Sequence, residues 1–190
     1  MAKIFAQFEI RNSDGTPPAG LDVDGLVAAY VPTVSTWQIP TFLISTLGVP
    51  RNVTLTATDA NASLGVIFAE IHGTDAQDRV QEEKLERAAA AGSGTTVGTK
   101  AFKTIDTSRS RVYVNPTVDA GVDTVSLGWG DVLGIPLDLD TSADLIERRE
   151  DANASVGVID VDLGTWTLSG GNITDAVNRY YMAGRFVLPE

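Results

Sequence analysis

The sequence predicts an all-β, mainly antiparallel domain, a β-sandwich or barrel-like fold with an extended N-terminal arm. Three observations carry that expectation. Short segments alternate in polarity, as at 4–10, 53–56 and 99–105, which is the period of a strand with one buried face. The 18 glycines and 8 prolines are spread along the chain, so they punctuate many short elements instead of forming one linker. A nine-residue stretch occurs twice, DANASLGVI from Asp59 and DANASVGVI from Asp151, differing only at Leu64 against Val156. Two copies are too few for a solenoid. They are expected as the turns of two related hairpins, 52–74 and 143–168, within one domain.

Taken in order, residues 4–10 place Ile4, Ala6, Phe8 and Ile10 on one face. They read as a strand, or as an arm lying on an apolar surface. Residues 12–20 are turn-rich. The apolar stretches 26–34 and 37–47 are interrupted by Pro32 and Pro40, which confines them to edges or extended segments. Residues 1–48 therefore form an N-terminal arm or edge strands, and 49–190 the β-rich domain. In the first expected hairpin, Val53 and Leu55 share one face and Thr54 and Thr56 the other. Asp and Asn at its turn bond their own backbone and tolerate positive φ.

Residues 80–91 pull two ways. Glu82, Glu83, Lys84, Leu85, Glu86, Arg87 and four alanines favour a short helix ending at Gly92. The β context on both sides favours a strand, and the strand is the preferred reading. Residues 99–105, 111–114 and 124–127 follow as strands. At the C-terminal end, Tyr180, Met182, Phe186 and Leu188 face opposite to Tyr181, Ala183 and Val187, a strand apolar on both sides.

Composition narrows the function. The net charge is −11, which repels phosphate backbones and anionic lipid surfaces, so neither nucleic acid nor membrane is expected as a partner. The chain has no cysteine, which removes disulfides and thiolate metal sites. No apolar run reaches the length of a membrane span. The alternating first residues lack a signal-peptide core, so function without Sec export is expected.

Candidate chemistry is sparse. His72 is the single histidine, and a metal or general-base role needs partners that the sequence does not supply. No Gly-x-Ser-x-Gly elbow presents a nucleophile. The glycines at 128, 130 and 134 miss the dinucleotide spacing and read as a tight turn. Asp22 with Asp24, Asp138 with Asp140, and Asp160 with Asp162 each set two carboxylates on one strand face. Calcium wants six to eight oxygens, so these read as solvated acidic faces. Catalytic, cofactor and metal residues are accordingly expected to be none. The sequons at Asn52, Asn61, Asn153 and Asn172 read as turn and strand chemistry. Trp37, Trp129, Trp166, Tyr180 and Tyr181 are candidates for a carbohydrate platform, with core or interface packing the stronger reading.

The ordered series 49–56 (VPRNVTLT), 71–75 (IHGTD), 98–105 (GTKAFKTI) and 128–136 (GWGDVLGIP) resembles a family of tailed-bacteriophage virion structural proteins, the capsid decoration or cement proteins. The similarity spans about 47–188 and rests on order and spacing, not on one motif. The family pattern forms a strand where this chain has 80–91, and usually lacks so clear a repeat. The resemblance implies a non-enzymatic protein made in the host cytoplasm. It would sit on the outer face of the head, bind the major capsid protein and form a homotrimer. Ile4, Phe5, Phe8 and Trp37 are the candidate interface residues. A virion or tail adhesion module that binds carbohydrate is the alternative.

Overall fold

The structure, a computed structural model, describes residues 2–11, 21–32, 35–115, 123–150, 153–154, 157–167 and 180–187. Its elements are β1 (Lys3–Ile10), β2 (Asp22–Tyr30), β3 (Trp37–Gln38), β4 (Thr46–Thr58) and β5 (Ile67–Thr74). There follow β6 (Val80–Arg87), β7 (Gly94–Ile105), β8 (Arg111–Val114) and β9 (Thr124–Gly134). A 3₁₀ turn, Ser142–Asp144, precedes β10 (Leu145–Glu150) and β11 (Asn153–Ala154). The chain ends with β12 (Val158–Asp160), β13 (Thr165–Thr167) and β14 (Tyr180–Val187). The all-β expectation holds.

Two sheets result. The smaller has the order β1-β14-β10-β11, and the larger follows β12-β13-β9-β4-β7-β5-β8-β3, with β2 also on β9 and β6 also on β5. β4 is central to the larger sheet. Its Val53, Leu55 and Ala57 join Val125 and Leu127 of β9, Leu26 and Val27 of β2, and Ile67, Ala69 and Ile71 of β5 in one buried cluster. A second core holds Ile10, Val49, Leu133, Ile135, Leu139, Trp166, Tyr180, Met182 and Phe186. It joins the smaller sheet to β9 and β13. There the Trp166 and Tyr180 rings meet edge to face at 6.1 Å, a preferred aromatic geometry.

The expected hairpin at 52–74 is corrected. β4 and β5 share no ladder, and β7 lies between them in the sheet. The DANAS segment is an arch joining two strands that bury their apolar rows in the same core. The Asp59 carboxylate, 2% exposed, accepts the Ser63 N–H at 2.8 Å and the Leu64 N–H at 3.2 Å. Ala62 takes φ 56°. Gly65 then passes so close to Asn115 that an added Cβ would lie 2.7 Å from its Cβ. The arch is thus shaped by side-chain capture and close approach, and a two-strand ladder has no place in it.

The second copy is built differently. Asn153–Ala154 is strand β11, paired with β10 in the smaller sheet, where Asn61 and Ala62 are turn residues. Asp151, Ala152, Ser155 and Val156 lie outside the described residues. A hairpin does form at β12–β13, with its turn at 161–164, but in the larger sheet. Segment 143–168 therefore feeds both sheets, and is not one hairpin matching the first.

Residues 80–87 form a strand, not a helix, with all eight paired to β5. The reason lies in their alternate side chains. Leu85 enters the core, Gln81 donates to the Ala101 carbonyl at 2.7 Å, and Glu83 accepts the Thr99 N–H at 2.7 Å. Arg87 donates to the Gly92 carbonyl. These contacts, two of them to the edge of β7, outweigh helix propensity, which is a weak prior.

The N-terminal region is woven into both sheets. β1 runs antiparallel to β14 over all eight residues, β2 pairs with β9 and β3 with β8. The boundary expected at residue 48 falls inside β4.

Candidate functional site

The outward face of four neighbouring strands, β3, β8, β5 and β6, carries a cluster of aromatic and charged side chains. Alternation produces it. On β5, Ile67, Ala69 and Ile71 point into the core, so Phe68, Glu70 and His72 point out. On β8, Val112 and Val114 point in, leaving Arg111 and Tyr113 outward. Register then aligns these residues in rows. Trp37 pairs with Tyr113, Tyr113 with Phe68, and Phe68 with Glu86. Arg111 pairs with Glu70, Glu70 with Lys84, and His72 with Glu82.

The side chains make contact along those rows. The Trp37 ring lies 5.7 Å from Tyr113 and 6.4 Å from Phe68, centroid to centroid. The Arg111 guanidinium sits 4.6 Å over the Trp37 ring, and its Nε donates to Glu70 Oε2 at 2.7 Å. The Lys84 ammonium sits 4.0 Å from the Phe68 centroid. Ring quadrupoles attract such cations. His72 Nδ1 lies 3.4 Å from Glu82 Oε2. A groove of about 440 Å³ lies over Glu70, His72, Glu82, Lys84 and Arg111.

The expected interface residues do not form one patch. Ile4 and Phe5 are 37% and 64% exposed on β1, in the smaller sheet, while Trp37 is 38% exposed on the last strand of the larger one. The Phe8 side chain lies outside the described set. Beyond Trp37, Ile39, Leu43 and Ile44 extend an exposed apolar segment. Two clefts of about 390 and 370 Å³ flank it, with Pro40 and Leu43 in the walls of both. Burial pushes the Tyr30 hydroxyl, in the first cleft, up to about 12.

For three of the aromatic candidates the stronger reading, core packing, holds, and no carbohydrate platform forms from them. Trp166 and Tyr180 are fully buried in the second core, and Trp129 packs against the first. Trp37 alone of the three tryptophans is exposed, and its neighbours Phe68 and Tyr113 were not singled out from the sequence. The alternation of 67–72 and 111–114 was the available signal.

The remaining candidates have structural uses. Gly128, Gly130 and Gly134 lie inside strand β9, not in a turn. They admit close neighbours: a Cβ on Gly128 would fall 1.8 Å from the Asp22 carbonyl oxygen. Asn52 is fully buried. It donates to the Gly98 carbonyl at 2.8 Å and accepts the Val132 N–H at 2.9 Å, bridging β7 and β9 across a register shift in β4. Asp138 pairs with Arg79 at 3.1 Å, and Asp140 with Lys3 at 3.0 Å. Asp160 accepts the Leu163 N–H in a turn. A hydrogen bond with Asp22 raises the Asp24 carboxyl above its ordinary value. Among the described residues no three His, Asp or Glu side chains converge as a metal site.

No family model, curated protein or solved structure matches the chain.

Proposed function

We propose that this chain is a non-enzymatic bacteriophage capsid decoration protein. It binds the outer face of the head as a homotrimer and stabilises contacts between major capsid proteins. The observation that carries the reading is the exposed apolar segment beyond Trp37, where Ile39 and Leu43 are 60% and 58% exposed. Exposed apolar side chains gathered in one segment mark an interaction site. The resemblance of 49–136 to virion structural proteins supports the same reading. So does Phe5, exposed on edge strand β1, because edge strands are natural sites of contact between chains. Covering apolar area is worth roughly 25 cal/mol per Å² before ordering costs. Repetition over a symmetric shell multiplies weak contacts through avidity.

The test is co-sedimentation of the purified protein with undecorated heads, with occupancy read by cryo-EM. Wild type is expected to saturate the shell and raise its rupture temperature. The double variant Ile39→Asp, Leu43→Asp is expected to stay in the supernatant while remaining folded. Absence of wild-type protein from the shell would overturn the reading.

A further inference from the structure

The groove over β5, β6 and β8 has features that the capsid reading does not use. Its volume, about 440 Å³, lies within the range of about 300–1,000 Å³ of small-molecule sites. Its charges alternate in sign. Glu70 and Glu82 offer acceptors, Arg111 and Lys84 offer donors, and the His72 imidazole offers one or the other at each nitrogen. A sulfated, phosphorylated or carboxylated ligand would bring its charge against two carboxylates, and a polyamine would meet two cations. A neutral polyol meets neither objection. Each of its hydroxyls both donates and accepts, so it can span the alternating set.

The donors are also held in place before any ligand arrives. Arg111 is fixed between the Glu70 carboxylate and the Trp37 ring, and Lys84 rests over Phe68. Side chains already ordered lose less freedom on binding. Trp37 lies outside the groove's lining, beside Arg111, whose guanidinium covers one side of the ring; its 38% exposure leaves indole surface for the C–H groups of a sugar chain that extends past Arg111. We infer that this groove binds a neutral oligosaccharide, with Trp37 as the apolar contact and Glu70, Glu82, Lys84 and Arg111 bonding the sugar hydroxyls. The inference stands apart from the capsid reading: a decoration protein with this groove would also attach the particle to a glycan-bearing surface.

The test titrates the full chain with uncharged hexasaccharides of glucose, mannose and N-acetylglucosamine, and with sulfated counterparts. Tryptophan fluorescence and calorimetry follow binding. Trp166 is fully buried and Trp129 partly so, so the emission change is assigned to Trp37 by its loss in Trp37→Ala. Saturable binding of one uncharged sugar is expected, roughly tenfold or more weaker in Trp37→Ala and in Arg111→Ala. Glu82→Gln, whose side chain is 74% exposed and outside the core, is a third variant that leaves folding intact and is expected to weaken binding. No saturable binding of any uncharged sugar by wild type would overturn the inference. So would unchanged binding in all three variants, or preference for the sulfated sugars. Heads are absent from this experiment, so its failure and failure of the capsid reading are distinguishable.

Discussion

Arg51 Nη2 lies 3.6 Å from Asp131 Oδ1 across the neighbouring strands β4 and β9, and the arginine is 3% exposed. Its Nε also donates to the Gly130 carbonyl at 2.7 Å. Burial lowers the guanidinium to about 10, and the charges of Asp131 and Tyr180 act in the opposite direction. A buried cation so placed is costly to form and costlier to break. Arg51→Ala removes the donor to the Gly130 carbonyl and the cation beside the Asp131 carboxylate. The expected loss is about 3–5 kcal/mol, read from urea unfolding. Arg51→Met, which fills the volume, is expected to lose less. Equal losses would mean that the lost charge and hydrogen bond, which neither variant restores, and not packing, set the cost.

Asp59 closes the arch between β4 and β5 by accepting two backbone N–H groups. Asp59→Ala leaves those donors unsatisfied in a buried turn, at about 1–3 kcal/mol. For a chain of this size that corresponds to a fall in melting temperature of roughly 2–12 °C. Asp59→Asn keeps one acceptor oxygen and is expected to lose less. A melting temperature unchanged in Asp59→Ala would show that Gly65 and Asn115 alone hold the arch.

The strand identities were legible because alternation reports burial. Ile67, Ala69 and Ile71, with Val112 and Val114, announce one inward row each. What the sequence could not give was which strands lie side by side. Val53 and Ile67 are separated by a turn that looks like a hairpin, yet their strands bury apolar rows without pairing. That outcome depends on Asp59 turning inward and on Gly65 meeting Asn115, a contact fifty residues distant in the chain. The groove was hidden for the same reason. Trp37, Phe68 and Tyr113 come together only through the registers of three strands. The helix-forming letters of 80–91 yield to the strand that the β context favours, because Gln81 and Glu83 spend their side chains on the edge of β7.

Gly128 carries a prediction about close approach. It sits in β9 where the Asp22 carbonyl oxygen would lie 1.8 Å from a Cβ, and the obstruction is backbone. Gly128→Ala must therefore push β2 away from β9. The expected loss is about 1–3 kcal/mol, with faster hydrogen exchange in β2 than in β4. The same substitution at Gly92, where the nearest atom is 3.7 Å away, meets no clash and is opposed only by its φ of 67°. Exchange in β2 unaffected by Gly128→Ala would show that the two strands are not held by this approach.

Lys3 fastens β1 to the 3₁₀ turn, its ammonium 2.7 Å from Asp144 Oδ2 and 3.0 Å from Asp140 Oδ2. The hydrogen bond from Lys3 holds the Asp144 carboxyl below its ordinary value, and Thr141 adds to this. The bond to Asp144, then that to Asp140, raises Lys3 above 10.5. The signs define a window. The contribution of Asp144 is complete above its unfolded value, near 3.9, and disappears as pH falls through the lower folded value. That of Lys3 is complete below about 10.4 and disappears as pH rises through the higher folded value. Both groups are charged at neutral pH, and partial exposure means that salt screens them. Asp144→Asn is expected to speed exchange of the β1 amides a few-fold at pH 7 and low salt, leaving β4 unchanged. Its stability difference from wild type should shrink as pH approaches about 3. If the difference persists at that pH, the ion pair is not what fastens β1, and the ladder to β14 holds it unaided.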